Sequence, residues 1–154
     1  MFNNIYKNKK VLITGHTGFK GSWLSVWLLN LGADVIGYSN EIPTNPSHFS
    51  ALELDQKINH NIGDIRDFKN LKKVFDLHKP EIVFHLAAQP LVRKSYKEPL
   101  ETIEVNTMGV VNILEIARVS DYIKSIVIVT SDKCYDNVEW IWGYRENDKL
   151  GGED

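Results

Sequence analysis

The sequence predicts an α/β fold in which helices flank a doubly wound, parallel sheet of about five strands. Three observations predict it: short β-branched runs alternate with longer helical stretches, the first run ends in a glycine-rich turn, and two later runs are almost continuously apolar. Strands that alternate with helices form right-handed βαβ units. Nearly continuous apolar runs are typical of strands that are buried on both faces of a parallel sheet.

The predicted strands are short apolar runs bounded by polar residues or glycine. They lie at 9–14, 35–39, 57–63, 81–88 and 125–131, and the third has the weakest pattern. The full dinucleotide-binding arrangement of this fold class has six strands. We therefore expect residues 1–154 to form one incomplete domain, truncated after about five strands, in what we interpret as a fragment of a longer protein.

Three longer segments have the apolar spacing of helices, at 20–31, 67–78 and 99–118. Gly32 suits the position just after the first helix, and Pro99 suits the first turn of the third. The first helix carries a stripe of large apolar residues, which is typical of a face that packs on the core. The stripe comprises Trp23, Leu24, Trp27, Leu28 and Leu31.

Composition and charge exclude several classes of protein. The chain has 154 residues, of which 43% are apolar and 25% charged, as expected for one globular domain. Its net charge of −2 argues against nucleic-acid binding or membrane-surface binding through bulk positive charge. No apolar run is long enough to span a bilayer, and the histidines show no metal-ligand spacing, so we predict no membrane partner and no metal.

Cysteine usage points to the reducing cytoplasm. Cys134 is the one cysteine, so no internal disulfide can form. No neighbouring residue marks it as a nucleophile, and we expect it to be a small buried apolar side chain.

The turn "TGHTGFKG" follows the first strand and opens the first helix, which predicts a Rossmann-like dinucleotide site. Glycines at 15, 18 and 21 allow a tight turn, close approach of the backbone to a diphosphate, and close packing of helix on strand. The helix N-terminus offers N–H groups and partial positive charge to phosphates. The alternative is a glycine-rich turn without a ligand, with a solvated lysine at 20. The predicted cofactor-binding residues of this turn are Gly15, Thr17, Gly18, Phe19, Lys20 and Gly21.

The ends of the second and third strands favour NAD over NADP. "YSNEI" places Asn40 where an acidic residue is expected to bind the ribose hydroxyls, and no arginine or lysine lies beside it to hold a 2′-phosphate. In "GDIRD", Asp64 could meet the adenine amino group, with Ile65 beside it in the cofactor site. The alternative for this stretch is a helix N-cap, for which Asp67 is the better candidate.

Five motifs together resemble the extended short-chain dehydrogenase/reductases, and within them the nucleotide-sugar 4,6-dehydratases. They are "TGHTGFKGSWL", "GDIRD", "HLAAQPLVRKSYKEP", "VNTMG" and "TSDKCYDN", and the likeness covers essentially the whole chain, about the N-terminal half of such an enzyme. The resemblance implies an NAD-dependent lyase that dehydrates a nucleotide sugar for lipopolysaccharide synthesis. Three stretches carry the most specific resemblance and imply CDP-glucose as that substrate: "HLAAQPLVR", "TSDKCYDN" and "EWIWGYREND". Oligomeric state stays open, with a homo-oligomer among the states implied.

The resemblance also implies roles for residues at the ends of the fourth and fifth strands. Ser131 matches a residue that hydrogen-bonds the sugar, Asp132 matches the acid, and Lys133 stands where most related dehydratases place a glutamate. Arg93, in the loop after the fourth strand, is a candidate for substrate contact, as is Gln89. The remaining matches are to cofactor contacts, namely Leu86, Ala87, Ala88, Asn106 and Thr130.

Each of these residues also has a structural alternative. Ser131 could satisfy a turn, Asp132 and Lys133 could form an exposed ion pair, and Arg93 could be a solvated surface residue. Asn106 could be a helix-interior asparagine bonded to backbone.

The sequence departs from the family at one point that bears on activity. The family requires a Tyr-x-x-x-Lys pair, which no tyrosine after the fifth strand supplies here, and Tyr6 with Lys10 lies before the first strand. We therefore expect the 154-residue chain to be inactive or weak alone. Two alternatives remain: a related epimerase or reductase, and a dinucleotide-binding fragment without catalysis.

Overall fold

The computed structural model describes residues 2–151 and contains a five-stranded, all-parallel sheet. The order across the sheet is β3-β2-β1-β4-β5, so the chain builds outward from β1 in one direction and then in the other. This confirms the predicted fold class. The strands are β1 (Lys10–Thr14), β2 (Asp34–Ser39), β3 (Asn59–Ile62), β4 (Ile82–His85) and β5 (Ser125–Ile128).

Helices cover both faces of this sheet. They are α1 (Phe19–Asn30), α2 (His48–Ala51), α3 (Phe68–His78), α4 (Val92–Lys97), α5 (Pro99–Ile103) and α6 (Gly109–Arg118). A π-helical segment, Glu104–Met108, joins α5 to α6, so the single helix predicted at 99–118 is helical throughout but widened at its middle. The short helices α2 and α4 were not predicted.

Two apolar cores lie on opposite faces of the sheet. Successive side chains of a strand point to opposite faces, so Leu12 of β1 joins the core under α3 and α6, while Val11 and Ile13 join the core under α1. All three side chains are 0% exposed. The central strand is therefore buried on both faces, as the fold class requires.

The fifth strand differs from its prediction. It ends at Ile128 rather than at 131, and within residues 2–151 it pairs with β4 alone. Val127 and Val129 are each 43% exposed, so the expected burial on both faces is wrong for β5. Exposure alternates along the strand, with Ile126 and Ile128 partly buried, so among the described residues one face of β5 is left largely uncovered.

The buried face of α1 also differs from its prediction. Gly21, Ser22, Ser25 and Leu28 face inward, whereas Trp23 and Trp27 of the apolar stripe are 54% and 48% exposed. A Cβ at Gly21 would collide with the Gly15 carbonyl oxygen, so small residues allow the helix to approach the sheet. The buried Ser25 hydroxyl is satisfied because it donates to the Gly21 carbonyl at 2.8 Å.

Helix ends follow the local sequence signals. Gly32 has a φ of +80° just after α1, and its N–H donates to the Leu29 carbonyl, which confirms the predicted terminator. Asp67 caps α3, because its carboxylate accepts the Asn70 N–H at 3.1 Å. None of the helices between residues 2 and 151 has the length and apolar character to cross a membrane.

Candidate dinucleotide and substrate site

The carboxyl ends of β1 and β4 form the centre of the candidate site, where the strand order reverses. Thr14 Oγ1 accepts the N–H groups of Leu86 and Ala87 at 3.2 Å each. Its own proton is then left for His85 Nδ1, 2.7 Å away. A hydroxyl at the end of β1 thus fixes the segment that follows β4, at the edge where open α/β sheets bind ligands.

Gly15 brings the glycine-rich turn against that segment. Its φ is +73°, and a Cβ here would lie 2.8 Å from the Ala87 nitrogen. Its N–H donates to the Tyr38 carbonyl of β2, and Gly18 N–H donates back to the Gly15 carbonyl at 3.1 Å. Only a residue without a side chain suits both the dihedral angle and the space.

The N-terminus of α1 has no side-chain cap. Its N-cap is Gly18, with extended backbone, and no side chain bonds to the first-turn N–H groups. Phe19 and Lys20 begin the helix, and both are exposed. Uncapped first-turn N–H groups at the positive end of a twelve-residue helix are suited to bind phosphate.

Two buried residues tie the turn to the ends of β2 and β3. Thr17 Oγ1 donates to the Glu41 carbonyl at 2.6 Å. His16 Nδ1 lies 2.9 Å from Ser39 Oγ, and His16 Nε2 lies 2.7 Å from His60 Nδ1. His16 lies in the turn, yet it is 0% exposed. Sequence reasoning missed this network; Gly37, whose Cβ would collide with the His16 ring, was its one indirect signal.

Buried imidazoles at this edge are held uncharged. Burial lowers the pKa of His16 to about 4, and nearby His60 adds to that effect. Burial likewise lowers the pKa of His85 to about 4. His85 Nε2 has no hydrogen-bond partner among the described residues.

The loop after β3 places Asp64 in an ion pair. The Asp64 carboxylate accepts the Arg66 guanidinium, with the shortest contact at 2.6 Å, and Arg66 also lies 3.5 Å from Glu104. The hydrogen bond from Arg66 lowers the pKa of Asp64. Ile65 beside it is 5% exposed. Its side chain packs directly against Gly109, where a Cβ would clash with it. Asn40, at the end of β2, is exposed.

The segment after β4 is held by the π-helical part of the long helix. Asn106 Oδ1 accepts the Gln89 N–H at 2.7 Å, and Asn106 Nδ2 donates to the Gln89 carbonyl at 3.1 Å. Asn106 is thus bonded to backbone, but to that of a segment 17 residues away rather than to its own helix. The Gln89 amide is itself engaged, with Nε2 donating to Leu91 and Thr102 and Oε1 accepting from Leu91. Leu86, Ala87 and Ala88 lie between these bonds and the glycine-rich turn.

Arg93 lies on α4, so its predicted position in a loop is wrong. The helix forms because Leu91 accepts the Lys94 and Ser95 N–H groups and starts a regular turn. Arg93 lines an open surface depression together with Leu91, Val92, Lys94 and Lys97. The neighbouring Lys94 lies 2.9 Å from Glu101.

The segment predicted to be catalytic lies just beyond β5. Val129 N–H donates to the His85 carbonyl, so Thr130 and Ser131 follow at the same edge as the end of β4, two strands away from the β1 end that carries the turn. Both are exposed. Ser131 Oγ accepts the Lys133 N–H at 3.1 Å, the contact expected of a residue that satisfies a turn. Asp132 lies in the 3₁₀ turn Asp132–Cys134, and its side chain is outside the described part of the structure.

Cys134 contradicts its prediction. It is exposed rather than buried, and its Sγ donates to the Ser131 carbonyl at 3.3 Å. The turn from Asp132 runs over the outer surface, where no core is available to cover a small side chain. Over residues 2–151, no three histidine, cysteine or acidic side chains come together in a way that could hold a metal ion.

Residues 135–150 fold back on themselves beside this turn. Tyr135 pairs with Leu150 in a single antiparallel bridge, and its ring stacks on Tyr144 with centroids 5.2 Å apart. Trp140 tilts against Tyr144, but it and Trp142 remain 47% and 68% exposed. The aromatic cluster therefore packs only partly within the described chain.

Comparison with known proteins agrees with this geometry. The model of the GDP-mannose 4,6 dehydratase family matches residues 12–151. The chain is 55% identical over 151 residues to CDP-glucose 4,6-dehydratase from Salmonella typhimurium, a match that covers 98% of this chain and 42% of that protein. The chain thus spans less than half the length of this curated relative.

Solved structures match the same portion of longer chains. An epimerase from Methanothermobacter thermautotrophicus is 31% identical, with a TM-score of 0.78 over 94% of this chain and 42% of that one. The UDP-glucose 4-epimerase of Thermus thermophilus, solved in complex with NAD, is 27% identical, with a TM-score of 0.81 over 93% of this chain and 44% of that one. The predicted resemblance is confirmed: the chain belongs to the GDP-mannose 4,6 dehydratase family.

Proposed function

We propose that this chain is the NAD-binding portion of a nucleotide-sugar 4,6-dehydratase that converts CDP-glucose to CDP-4-keto-6-deoxyglucose. The observation that carries the proposal is the glycine-rich turn with its uncapped helix, which lies at the β1–β4 switch point of a chain 55% identical to CDP-glucose 4,6-dehydratase. The domain assignment, an incomplete NAD-binding domain over 1–154, is part of the proposal.

The residues at the switch point suit a dinucleotide. Gly15 and Gly21 lie where a Cβ would collide with backbone. Because neither residue has a side chain, the turn packs closely on the sheet and its N–H groups remain accessible. The diphosphate would lie on Thr17 to Gly21, the nicotinamide side along Leu86 to Ala88, and the adenosine near Asn40, Asp64 and Ile65. Asn106 would act by holding the Leu86–Gln89 segment in place.

NAD is favoured over NADP by the charges around the adenosine end. Arg66 lies in the loop after β3, and it is already bound to Asp64 and Glu104. Glu41, two residues past β2, places a carboxylate there. A 2′-phosphate would meet this negative charge, and the Arg66 guanidinium is already engaged by two carboxylates.

The chemistry requires an acid and a base beside the sugar. Bound NAD would supply the hydride acceptor for oxidation of the C4 alcohol, whose hydroxyl proton passes to a base, and would return that hydride to C6 while C5 takes up a proton. Between these events the C5 proton, acidified by the C4 ketone, must be removed and the departing C6 hydroxyl protonated. Asp132 is proposed as the acid. Lys133 either removes the C5 proton or stabilises the enolate charge, and a lysine can act as a base only if its pKa is depressed.

Ser131 and Arg93 are proposed to bind the sugar nucleotide. Ser131 Oγ accepts one backbone N–H, so its hydroxyl proton remains available to a sugar oxygen. Arg93 lies on the surface depression beside α4, where its guanidinium can meet a phosphate. Gln89 fits substrate contact less well, because its amide is satisfied within the protein.

A cytoplasmic setting and a homo-oligomer are part of the proposal. An exposed free Cys134 suits a reducing compartment. Self-association is supported by exposed apolar residues on α5 and the π-helical segment, where Leu100, Ile103 and Met108 are 69%, 59% and 48% exposed. Light scattering across a dilution series of the purified chain tests it, and a constant monomer mass would contradict it.

Two assays test the function. Calorimetric titration of the folded chain should detect NAD binding, weaker NADP binding, and loss of both in Gly18→Asp, which puts a carboxylate at the phosphate site. Incubation with CDP-glucose and NAD, read by the near-ultraviolet absorbance of the 4-keto-6-deoxy product in base, tests turnover. We expect little or no product from the 154-residue chain, and clear product once a Tyr-x-x-x-Lys segment is supplied.

A second candidate is a nucleotide-sugar 4-epimerase, because the structural neighbours described above are named as epimerases. Asp132 and Lys133 favour dehydration, since epimerisation needs no acid and base for elimination. Product analysis decides: a C4-inverted sugar with its C6 hydroxyl intact would replace the dehydratase proposal. A folded chain that binds no dinucleotide at millimolar concentration would leave neither.

A further inference from the structure

We propose that His60 is a positioning residue for the dinucleotide site, acting through His16 to hold the glycine-rich turn in its binding form. The proposal rests on the proposed function, because it concerns the same cofactor. His60 lies on β3, two strands away from the β1 end that carries the turn. None of the five sequence motifs contains it.

The path from His60 to the turn is continuous. His60 Nδ1 lies 2.7 Å from His16 Nε2, and His16 Nδ1 lies 2.9 Å from Ser39 Oγ. Ser39 Oγ also accepts the Thr17 N–H at 3.4 Å. Consecutive turn residues, His16 and Thr17, are thus held on Ser39, and His60 anchors the outer end.

The His16 ring is tightly packed by its neighbours. The ring fills the space above Gly37, where any Cβ would clash with it. Phe49 packs edge-on against His16 with ring centroids 5.3 Å apart, and it lies tilted against His60 with centroids 5.1 Å apart. The ring is 0% exposed, so solvent does not reach its nitrogens in this arrangement. Without His60, a buried imidazole nitrogen would be left unpaired, which favours any turn conformation that releases it.

The two rings must share one proton to form this bond. Burial lowers the pKa of both histidines, so both are neutral at pH 7, and one ring donates while the other accepts. Asp55 acts in the opposite direction on His60. An asparagine at 60 can place an amide nitrogen or oxygen near the former Nδ1 position, whereas leucine cannot.

The test is calorimetric titration of the folded chain with NAD at pH 7.5 in wild type, His60→Leu and His60→Asn. We expect His60→Leu to bind NAD roughly threefold to tenfold more weakly, the effect of one hydrogen bond, and His60→Asn to bind within about twofold of wild type. His60→Val, which suits an edge strand, replaces His60→Leu if the latter does not fold.

Asn61→Leu is the matched control. Asn61 neighbours His60 on the same edge strand, and its Nδ2 donates to the carbonyls of Gly37 and Asn59 at 3.2 and 2.9 Å, without touching the turn. Urea unfolding should show a loss of stability in Asn61→Leu comparable with that in His60→Leu, but its NAD affinity should stay within about twofold of wild type.

The outcomes separate the two proposals. Wild type that binds no NAD overturns the proposed function and this inference with it. Wild type that binds NAD while His60→Leu binds equally well overturns this inference alone. So does equal weakening in Asn61→Leu, which would show that β3 stability rather than the histidine contact is what matters. Failure of His60→Asn to restore affinity also counts against the shared hydrogen bond.

Discussion

The glycine-rich turn and the segment from 130 to 151 are both predicted site regions, but they are held in different ways. Around the turn, Thr14, His16, Thr17 and Ser39 are at most 4% exposed, and their partners lie on four different strands or strand ends. From 130 onward the side chains are largely exposed, with partners 2 to 13 residues away, as in the Lys149–Asp136 ion pair at 2.6 Å. Long-range contacts therefore fix the predicted cofactor region, and local contacts fix the predicted catalytic segment.

The largest expected effect is a loss of folding stability in acid, and it arises from buried histidines around the glycine-rich turn and the end of β4. His16 and His85 both have a pKa of about 4, below the unfolded value of 6.5, so the unfolded state takes up protons first as the pH falls. The contribution of these two histidines to the free energy of unfolding is therefore fully present above pH 6.5 and is lost as the pH falls toward 4. The loss is about 4 kcal/mol at pH 5 for the two together. Urea unfolding at pH 7.5 and 5 measures it. His85→Asn should roughly halve the loss, and equal stability at both pH values would show that these imidazoles are not buried.

Adding one methyl group tests the packing of the two regions. In Gly21→Ala the new Cβ meets the Gly15 carbonyl and the His16 backbone, which cannot yield, so we expect a loss of roughly 2–3 kcal/mol and much weaker NAD binding. Gly143→Ala is the control in the second region, where nothing lies within 4 Å, and it should change stability by less than about 0.5 kcal/mol. Similar unfolding midpoints for the two variants would remove the distinction.

Asn106 connects the long helix to the segment after β4, and its removal should have an intermediate effect. Asn106→Leu leaves the Gln89 N–H and carbonyl without their partners, at a cost of about 1 kcal/mol because the site is partly open to water. Asn106→Asp keeps the acceptor and should lose less. Thermal unfolding of the two variants compares them, and a loss in Asp equal to that in Leu would argue against the Gln89 contact.

Ser131 should affect function without affecting stability. Its hydroxyl is exposed and accepts the Lys133 N–H two residues on, so Ser131→Ala should change the free energy of unfolding by less than about 0.5 kcal/mol. In an active protein that carries these residues, turnover of CDP-glucose should fall while NAD affinity stays the same. Unchanged turnover would return Ser131 to the role of a turn residue.

Sequence patterns predicted the strands, the glycine-rich turn and the cap residues because each depends on neighbouring residues. Gly32 and Asp67 act within one turn of a helix, and their roles followed directly from position. The orientation of α1 could not be predicted in this way. Trp23 and Trp27 form an apolar stripe, but the face of the helix that packs on the sheet carries the small residues Gly21 and Ser25. Close approach of a helix to a sheet is a property of both surfaces, and the helix sequence shows only one of them.

Contacts between distant strands were the least predictable part of the site. Nothing near His16 in sequence shows that it meets His60, 44 residues away, or that both rings pack on Phe49. Similarly, the side-chain amide of Gln89, a predicted substrate residue, donates hydrogen bonds to Leu91 and Thr102. Residue type predicts which groups can hydrogen-bond, whereas the fold decides whether a protein partner already occupies them.

The central claim is that the 154-residue chain carries a preformed NAD site at the glycine-rich turn. Two-dimensional ¹H–¹⁵N spectra of the folded chain, titrated with NAD, test it most directly. The predicted result is that amide signals of Gly18 to Gly21, and then those near Ser39 to Glu41, shift progressively while signals from 135 to 150 stay in place. A well-dispersed spectrum that millimolar NAD leaves unchanged at the turn would contradict the claim.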